Sequence, residues 1–286
     1  MVIKYEIDAV RTPYWKPGED FLQQVVDHVR GRVEDGDFLT ISEKALSTAL
    51  GNIVDESLVQ PGWFARFLSK YWMRVFWGCF LGPLCHLRRR TIRYFRFYPI
   101  EAGGAHKQVV LRCAGFSQAL LCGSEGGIDG SNLAYSYVSL PLKKAPVVAR
   151  RIRDRVRSEL GKNVAVMIVD TDKTYSFHGF HFTPRPKPVK GIHALGGFLA
   201  YVVGRFFKIE RRATPIAVEP FKVGVEESLR IAEIANRARG FGAGRTVWEM
   251  ADRLNVSLTG VTWEMLERLE HRPIVIVRKM KRTEAR

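Results

Sequence analysis

Two acids stand out in this sequence because of their company. Asp129 lies in "GSEGGIDGSNLAYSYVSLP" (residues 123–141), with glycines at 123, 126, 127 and 130 around it and Ser131 and Asn132 just after it. Asp170 closes the apolar run "NVAVMIVD" and is followed by Thr171. Oxygen donors of this kind suit hard divalent ions, and Mg or Mn between carboxylates and nucleotide phosphates needs only a few protein oxygens. Gly, Asp, Ser and Asn are equally the residues of turns, so the first loop reads either as punctuation or as a site. Asp170 likewise either roots a ligand loop at the end of a buried strand or caps the next turn. Asp172, His178 and His181 in "DTDKTYSFHGFHF" would extend a metal site, although a histidine in an aromatic stretch is commonly a packed side chain. Glycines 240, 242 and 244 before a helix invite a phosphate cradle. Lacking the GK[ST] ending of a P-loop, they are read as a helix linker.

The elements that must position these residues follow from periodicity. A strand is expected near 2–9, then a helix begun by Asp20 with Phe21, Val25, Val26 and Val29 on one face, then a strand in "DGDFLTIS". Residues 61–91 read as an aromatic helix carrying Arg66, Lys70 and Arg74 at four-residue spacing, suited to a partner subunit or a membrane interface. Strands are expected at 92–98, 108–113 and 117–122. An arginine-rich helix at 149–157 precedes a buried strand ending at Asp170-Thr171. Helices follow in "VGVEESLRIAEIANRARG", "TVWEMADRL" and "TWEMLERLE", and "RPIVIVRKM" is a last strand. This alternation predicts an α/β (α+β) protein with mixed sheets and flanking helices.

Composition limits the classes of function. The 286 residues carry a formal charge of +16, which fits a polyanionic partner: nucleic acid, anionic lipid or a phosphorylated small molecule. The basic excess gathers at 86–97, where arginines alternate with Tyr94, Phe95, Phe97 and Tyr98 as in a nucleic-acid platform, and at 149–157, a solvated helix face. Cys79, Cys85, Cys113 and Cys122 form no CxxC pair, so reduced, buried thiols are expected. The beginning of the chain lacks signal-peptide zones, and the apolar run 75–87 is too short to span a bilayer, so a cytoplasmic location is expected.

In order along the chain, "TPYWKPGEDF", "DGDFLTISEKALSTALGNIVD", "GGIDGSNL", "LPLKKAPVVARRIRDRVRSELG" and "VAVMIVDT" resemble the coenzyme F420-0:L-glutamate ligase family. "VGRFF" and "RPIVIVRK" match more loosely. The resemblance implies one F420 γ-glutamyl ligase-like unit over 1–286, found as an intertwined homodimer, with helical insertions at 61–91 and 237–271. It implies GTP as co-substrate, Mn or Mg, and an amide bond formed between L-glutamate and a phosphorylated acceptor such as a coenzyme F420 precursor. Carried over by residue, Asp129, Asp170, Thr171 and, by a loose match, Glu270 would bind metal. Thr12, Pro13, Tyr14, Trp15, Glu43, Lys44 and Asn132 would bind nucleotide. The glycines would let phosphates approach a metal-bound Asp129. Departures are also visible: Thr48 stands where the family has a second lysine, Leu50 where it has a glutamate, and "DKTYSFHGFHF" where it has an FGRPWR-type loop. A noncatalytic relative that binds RNA or an anionic membrane through 86–97 is the alternative reading.

Overall fold

The computed structural model describes residues 4–123, 125–220 and 222–280. Residues 2 and 3 of the expected first strand, and Ser124 of the glycine loop, therefore lie outside the described residues. The chain opens with β1 (Tyr5–Thr12), α1 (Phe21–Val29), β2 (Phe38–Ser42), α2 (Glu43–Ala49) and β3 (Ile53–Asp55). A helical stretch follows: α3 (Trp63–Phe67), a π-helix (Leu68–Leu81), α4 (Gly82–Leu84), α5 (Arg89–Arg96), α6 (Ile100–Cys113) and α7 (Phe116–Ala119). Then come β4 (Tyr137–Ser139), α8 (Ala145–Leu160), β5 (Ala165–Phe177), β6 (Phe180–Thr183), β7 (His193–Ala194), α9 (Phe198–Phe206) and β8 (Glu210–Glu219). The chain finishes with α10 (Val225–Arg239), α11 (Val247–Leu254), α12 (Trp263–Glu267) and β9 (His271–Lys279).

The main sheet is seven-stranded and mixed, in the order β1-β9-β2-β5-β6-β7, with β8 also paired to β5. β2 and β5 run parallel, while β9 is antiparallel to both β1 and β2. Alternation along β5 sends Val166 and Ile168 to one face and Met167 and Val169 to the other. The first face is covered by Val25, Val26 and Val29 of α1 and Val148, Ile152 and Val156 of α8. The second is covered by Leu229, Ile231, Ala232 and Ala235 of α10. Burying both faces explains the near-continuous apolar run in β5. Asp20 caps α1 as expected, accepting the backbone N–H of Leu22 and Gln23 at 3.1 Å each.

Three expected strands are helices. Residues 92–98 belong largely to α5, 108–113 to α6, and 117–122 begin in α7. The apolar run "QVVL" is the visible end of a helix whose earlier turns contain Gly103 and Gly104, poor helix formers that hide it from a propensity reading. Packing requires the glycine: a Cβ on Gly103 would come within 2.1 Å of the Tyr98 ring. α5 is fixed by Phe95, which is buried against Trp77 of the π-helix. The buried strand also continues beyond Asp170-Thr171 to Phe177, with its register irregular between Asp170 and Lys173. Of the thiols expected to be buried, Cys85 is buried but Cys79 and Cys113 are exposed, and all four are free.

Candidate functional site

The C-terminal ends of the parallel strands β2 and β5 bring their loops together at one edge of the sheet, as ligand sites in α/β sheets commonly require. A cavity of about 240 Å³ opens there. Its wall includes Lys44 from the first turn of α2, Asp129 and Asn132 from the glycine loop, and Asp170 and Thr171 from β5. Tyr14 and Trp15 line it from the β1–α1 loop, and Glu270 from the position just before β9.

Asp129 is held by several partners. Its Oδ1 accepts the Ser131 N–H at 2.7 Å, and Oδ2 accepts from Ser131 Oγ at 3.0 Å and Lys44 Nζ at 2.5 Å. The same ammonium donates to Ser131 Oγ at 2.7 Å and to the Ser131 carbonyl at 2.9 Å. Asp170, buried, lies with its Oδ2 2.9 Å from Arg185 Nε, while Arg185 Nη2 donates to Glu43 Oε1 at 2.6 Å. Burial pushes the Glu43 carboxyl up to about 8 against the pull of Arg185, and the neighbouring Asp170 raises it further.

Arg185 also gives one loop glycine its reason. A Cβ on Gly127, where φ is +91°, would come within 2.1 Å of Arg185 Nη1. This glycine makes room for a buried guanidinium, so close approach of phosphate to Asp129 is not needed to explain it.

Asn132 adopts φ +57°, a conformation Asn tolerates better than most residues, and this aims its side chain at the 240–244 loop. Its Oδ1 accepts the Ala243 N–H at 2.5 Å and its Nδ2 donates to the Gly244 carbonyl at 2.9 Å. Tyr14 donates its hydroxyl to the Asn132 carbonyl. Gly240, Gly242 and Gly244 therefore belong to the cavity wall as well as linking α10 to α11. The backbone N–H groups of Phe241 and Gly242 make no hydrogen bond among the described residues.

The remaining expected site residues divide clearly. Thr12 and Pro13 do not line the cavity; Thr12 Oγ1 donates to the Pro13 carbonyl, which also accepts from His271 Nδ1 at 2.9 Å. Glu43 lies behind the wall with Arg185. Glu270 lines the rim and pairs with Arg272 at 2.7 Å. His178 and His181 line neither this cavity nor the larger one beside it; His181 is buried, with its Nδ1 2.9 Å from Ser176 Oγ. Among the described residues, no three His, Cys, Asp or Glu side chains converge on a common point.

Sequence reasoning missed Arg185, Arg239 and His271. Arg239, the last residue of α10, lines the cavity, and desolvation pulls its guanidinium down to about 10, still positive at neutral pH. His271 is held neutral, lowered to about 4 by burial and by Arg239 against the opposing hydrogen bond to Pro13. The Pro-flanked arginine of "TPRPKP" was the available signal for Arg185. Nothing local distinguished Arg239 from the other helix-end arginines.

A mixed α/β sheet with acidic and basic side chains converging at the ends of its parallel strands defines the class of protein. More specifically, the chain belongs to the F420-0:Gamma-glutamyl ligase family, whose model matches residues 9–278. It is also similar to the uncharacterized protein MJ1361 of Methanocaldococcus jannaschii, at 35% identity over 282 residues covering 94% of each chain. No helix among the described residues is long and apolar enough to cross a membrane.

Proposed function

We propose that the protein is a cytoplasmic, GTP- and divalent-metal-dependent γ-glutamyl ligase. It would join L-glutamate through an amide to a carboxylate of an acceptor, a phosphorylated coenzyme F420 precursor in the reading carried by its family. The observation that carries this is one cavity lined by Asp129, Asp170, Lys44, Arg239 and the 240–244 glycine loop. These are acids for an ion, and cations and free N–H groups for phosphates.

The donor set fits Mn or Mg. Asp129, Asp170, Thr171 and Glu270 all line the cavity, and Asp170 Oδ2, ion-paired with Arg185 Nε at 2.9 Å, accepts no hydrogen bond among the described residues. An ion bound by one or two carboxylates and completed by phosphates needs no cage of three protein acids. When bound, it would neutralise phosphate charge and polarise the transferring group.

In the reaction, an acceptor carboxylate oxygen attacks the γ-phosphorus of GTP, the bond to GDP breaks, and an acyl phosphate forms. The amine of L-glutamate then attacks the acyl carbon, phosphate departs with the bonding electrons, and the amine proton is lost to solvent. In this chain, Lys44 and Arg239 stabilise phosphate charge while Asn132 keeps the glycine loop in place. Arg239 supplies a cation in the cavity where Thr48, itself a wall residue, provides none. Trp15 also lines the cavity, and its buried indole Nε1 has no hydrogen-bond partner among the described residues.

The alternative of RNA binding at 86–97 loses much of its platform. Tyr94 stacks on Trp248 at 5.3 Å, and Phe95 and Tyr98 pack against the same indole, leaving Phe97 exposed. Calorimetry with GTP and Mn tests the proposal. Wild type is expected to bind, and Asp129→Asn to weaken metal-dependent binding by at least about tenfold. Unchanged binding in that variant would overturn the reading.

A further inference from the structure

Helix α9 reverses the usual arrangement of a surface helix. It buries its small residues, Ala200 and Gly204, while Leu199 is 65% exposed and Val203 and Phe206 are exposed with it. Leu199, Val203 and Phe206 stand at i, i+4 and i+7, so they form one stripe. Packing dictates which side faces in: a Cβ on Gly204 would come within 2.3 Å of the Tyr175 ring. Close seating on the sheet therefore turns the large side chains toward solvent.

The apolar surface continues onto the sheet. Tyr175 and Phe182 are cross-strand partners that pack against Ala200 of α9. Alternation along β5 and β6 puts Phe177 and Phe180 on that same face, one step nearer the hairpin tip. Neither is covered there: Phe177 is 60% exposed and Phe180 is exposed as well. Phe207, just past α9, is 68% exposed.

Cations border this surface. Arg205 donates from Nε to the Cys85 carbonyl and from Nη2 to the His86 carbonyl, both at 3.0 Å, which joins the end of α9 to the turn before α5. Arg88 and Arg89 follow that turn, while Lys208 and Arg211 lie where the chain leaves α9 for β8. All four are exposed, and none forms an ion pair with a described residue. α9 contains no acid, and Glu210 at the start of β8 lies 3.7 Å from Arg212.

A second copy of the chain fits this surface poorly. A two-fold contact sets one patch against itself, so the cations would oppose one another. A nucleic-acid strand fits poorly too, since bases stack on aromatic rings and Leu199 and Val203 offer none. We propose that α9, the turn after it and the β5–β6 hairpin tip form a docking face for an anionic bilayer. Phe177, Leu199, Phe206 and Phe207 enter the boundary between headgroups and acyl chains, and Arg88, Arg89, Lys208 and Arg211 meet the lipid phosphates. Such binding needs an apolar face with basic flanks and no spanning helix. Asp170 lies about 20 Å back along β5 from Phe177 at the rise of a strand, so docking leaves the candidate nucleotide cavity free.

Cosedimentation of the full chain with vesicles of phosphatidylcholine alone, and of phosphatidylcholine mixed with phosphatidylglycerol, tests this. Wild type is expected to bind the mixed vesicles at least about tenfold more tightly than the neutral ones. Phe177→Ser combined with Phe207→Ser is expected to weaken that binding at least about tenfold. Lys208→Glu combined with Arg211→Glu is expected to remove the preference for phosphatidylglycerol. Thermal unfolding checks the fold of both variants, and light scattering checks their subunit number. No binding of wild type to mixed vesicles, equal binding to neutral ones, or undiminished binding by the serine variant would each overturn the proposal. A serine variant that changes subunit number assigns the face to a second copy, and oligouridylate bound in place of vesicles and lost in that variant assigns it to nucleic acid. Either result overturns the bilayer as partner.

Discussion

Lys44 Nζ lies 2.5 Å from Asp129 Oδ2, so the protein's own ammonium neutralises the acid proposed to hold a metal. Lysine and ion would compete for that oxygen. Lys44→Ala is therefore expected to tighten binding of Mn alone while weakening GTP, because the carboxylate is released but a phosphate partner is lost. Asp129→Asn should abolish Mn binding, since a neutral amide cannot oppose the ion's charge. Manganese titration followed by electron paramagnetic resonance separates the two effects; weaker Mn binding in Lys44→Ala would refute competition.

Asn132 ties the glycine loop through both ends of its carboxamide. Asn132→Ala leaves Ala243 N–H and the Gly244 carbonyl without these partners, at a cost of about 1–3 kcal/mol if they stay unsatisfied. The expected result is faster hydrogen exchange at 240–246 and weaker GTP binding. Gly242→Ala should act similarly, because a Cβ there comes within 2.4 Å of Asn132 Oδ1 and φ is +55°. Unchanged exchange in both variants would show that the loop holds its shape without Asn132.

How much of this site could be read from the sequence depended on distance along the chain. Asp129 and Asp170 announce themselves locally, by glycines around one and a buried strand before the other, and both reach the same cavity. Arg185 and Arg239 arrive through tertiary packing: flanking prolines are the one local mark on Arg185, and no neighbouring residue carries a signal for Arg239. The sheet was legible where apolar residues run together, as in β2, β5 and β9. β8 was not, because it opens with "ERR" and contains Pro215 beside a register irregularity. At 92–122, β-branched and aromatic residues suggested strands, but contacts with the π-helix and Trp248 select helix at Phe95.

Glu43 and His271 set opposite pH dependences. The folded Glu43 carboxyl sits at about 8, above its ordinary 4.5, so between these values the native state holds a proton that the unfolded state has lost. Its contribution falls as pH rises through that window. Glu43→Gln is expected to gain stability relative to wild type between pH 6.5 and pH 9 in urea unfolding. His271, lowered to about 4 from 6.5, makes stability fall as pH drops through that lower window. A parallel wild-type and Glu43→Gln profile above pH 6.5 would refute the protonated Glu43.

Arg185 is the buried cation between Glu43 and Asp170. Removing one member of such a cluster leaves uncompensated buried charge, so Arg185→Met is expected to destabilise by about 3–5 kcal/mol at neutral pH. Gly127→Ala should also destabilise, through collision with the guanidinium and a strained φ of +91°. The double variant should lose less than the sum, because the Met side chain relieves that collision. Strict additivity in denaturant unfolding would show that the glycine answers to backbone conformation alone.

The helical segment from Trp63 leaves a large apolar surface outside the core. Leu68, Met73 and Trp77 are buried, but Trp63 is 79% exposed and Phe80 64%, with Phe67, Tyr71 and Phe76 also exposed. So contiguous a patch is rarely left in water, and a second copy of the chain is the expected cover in the dimeric reading. Light scattering at micromolar concentration should therefore report a dimer. Phe76→Ser combined with Phe80→Ser should shift it to monomer with little loss of stability, because neither side chain belongs to the buried core. Vesicles containing anionic lipid provide the contrasting measurement: a monomeric wild type that binds them through these residues would replace the second copy with a membrane surface. A monomer that ignores vesicles would refute both covers.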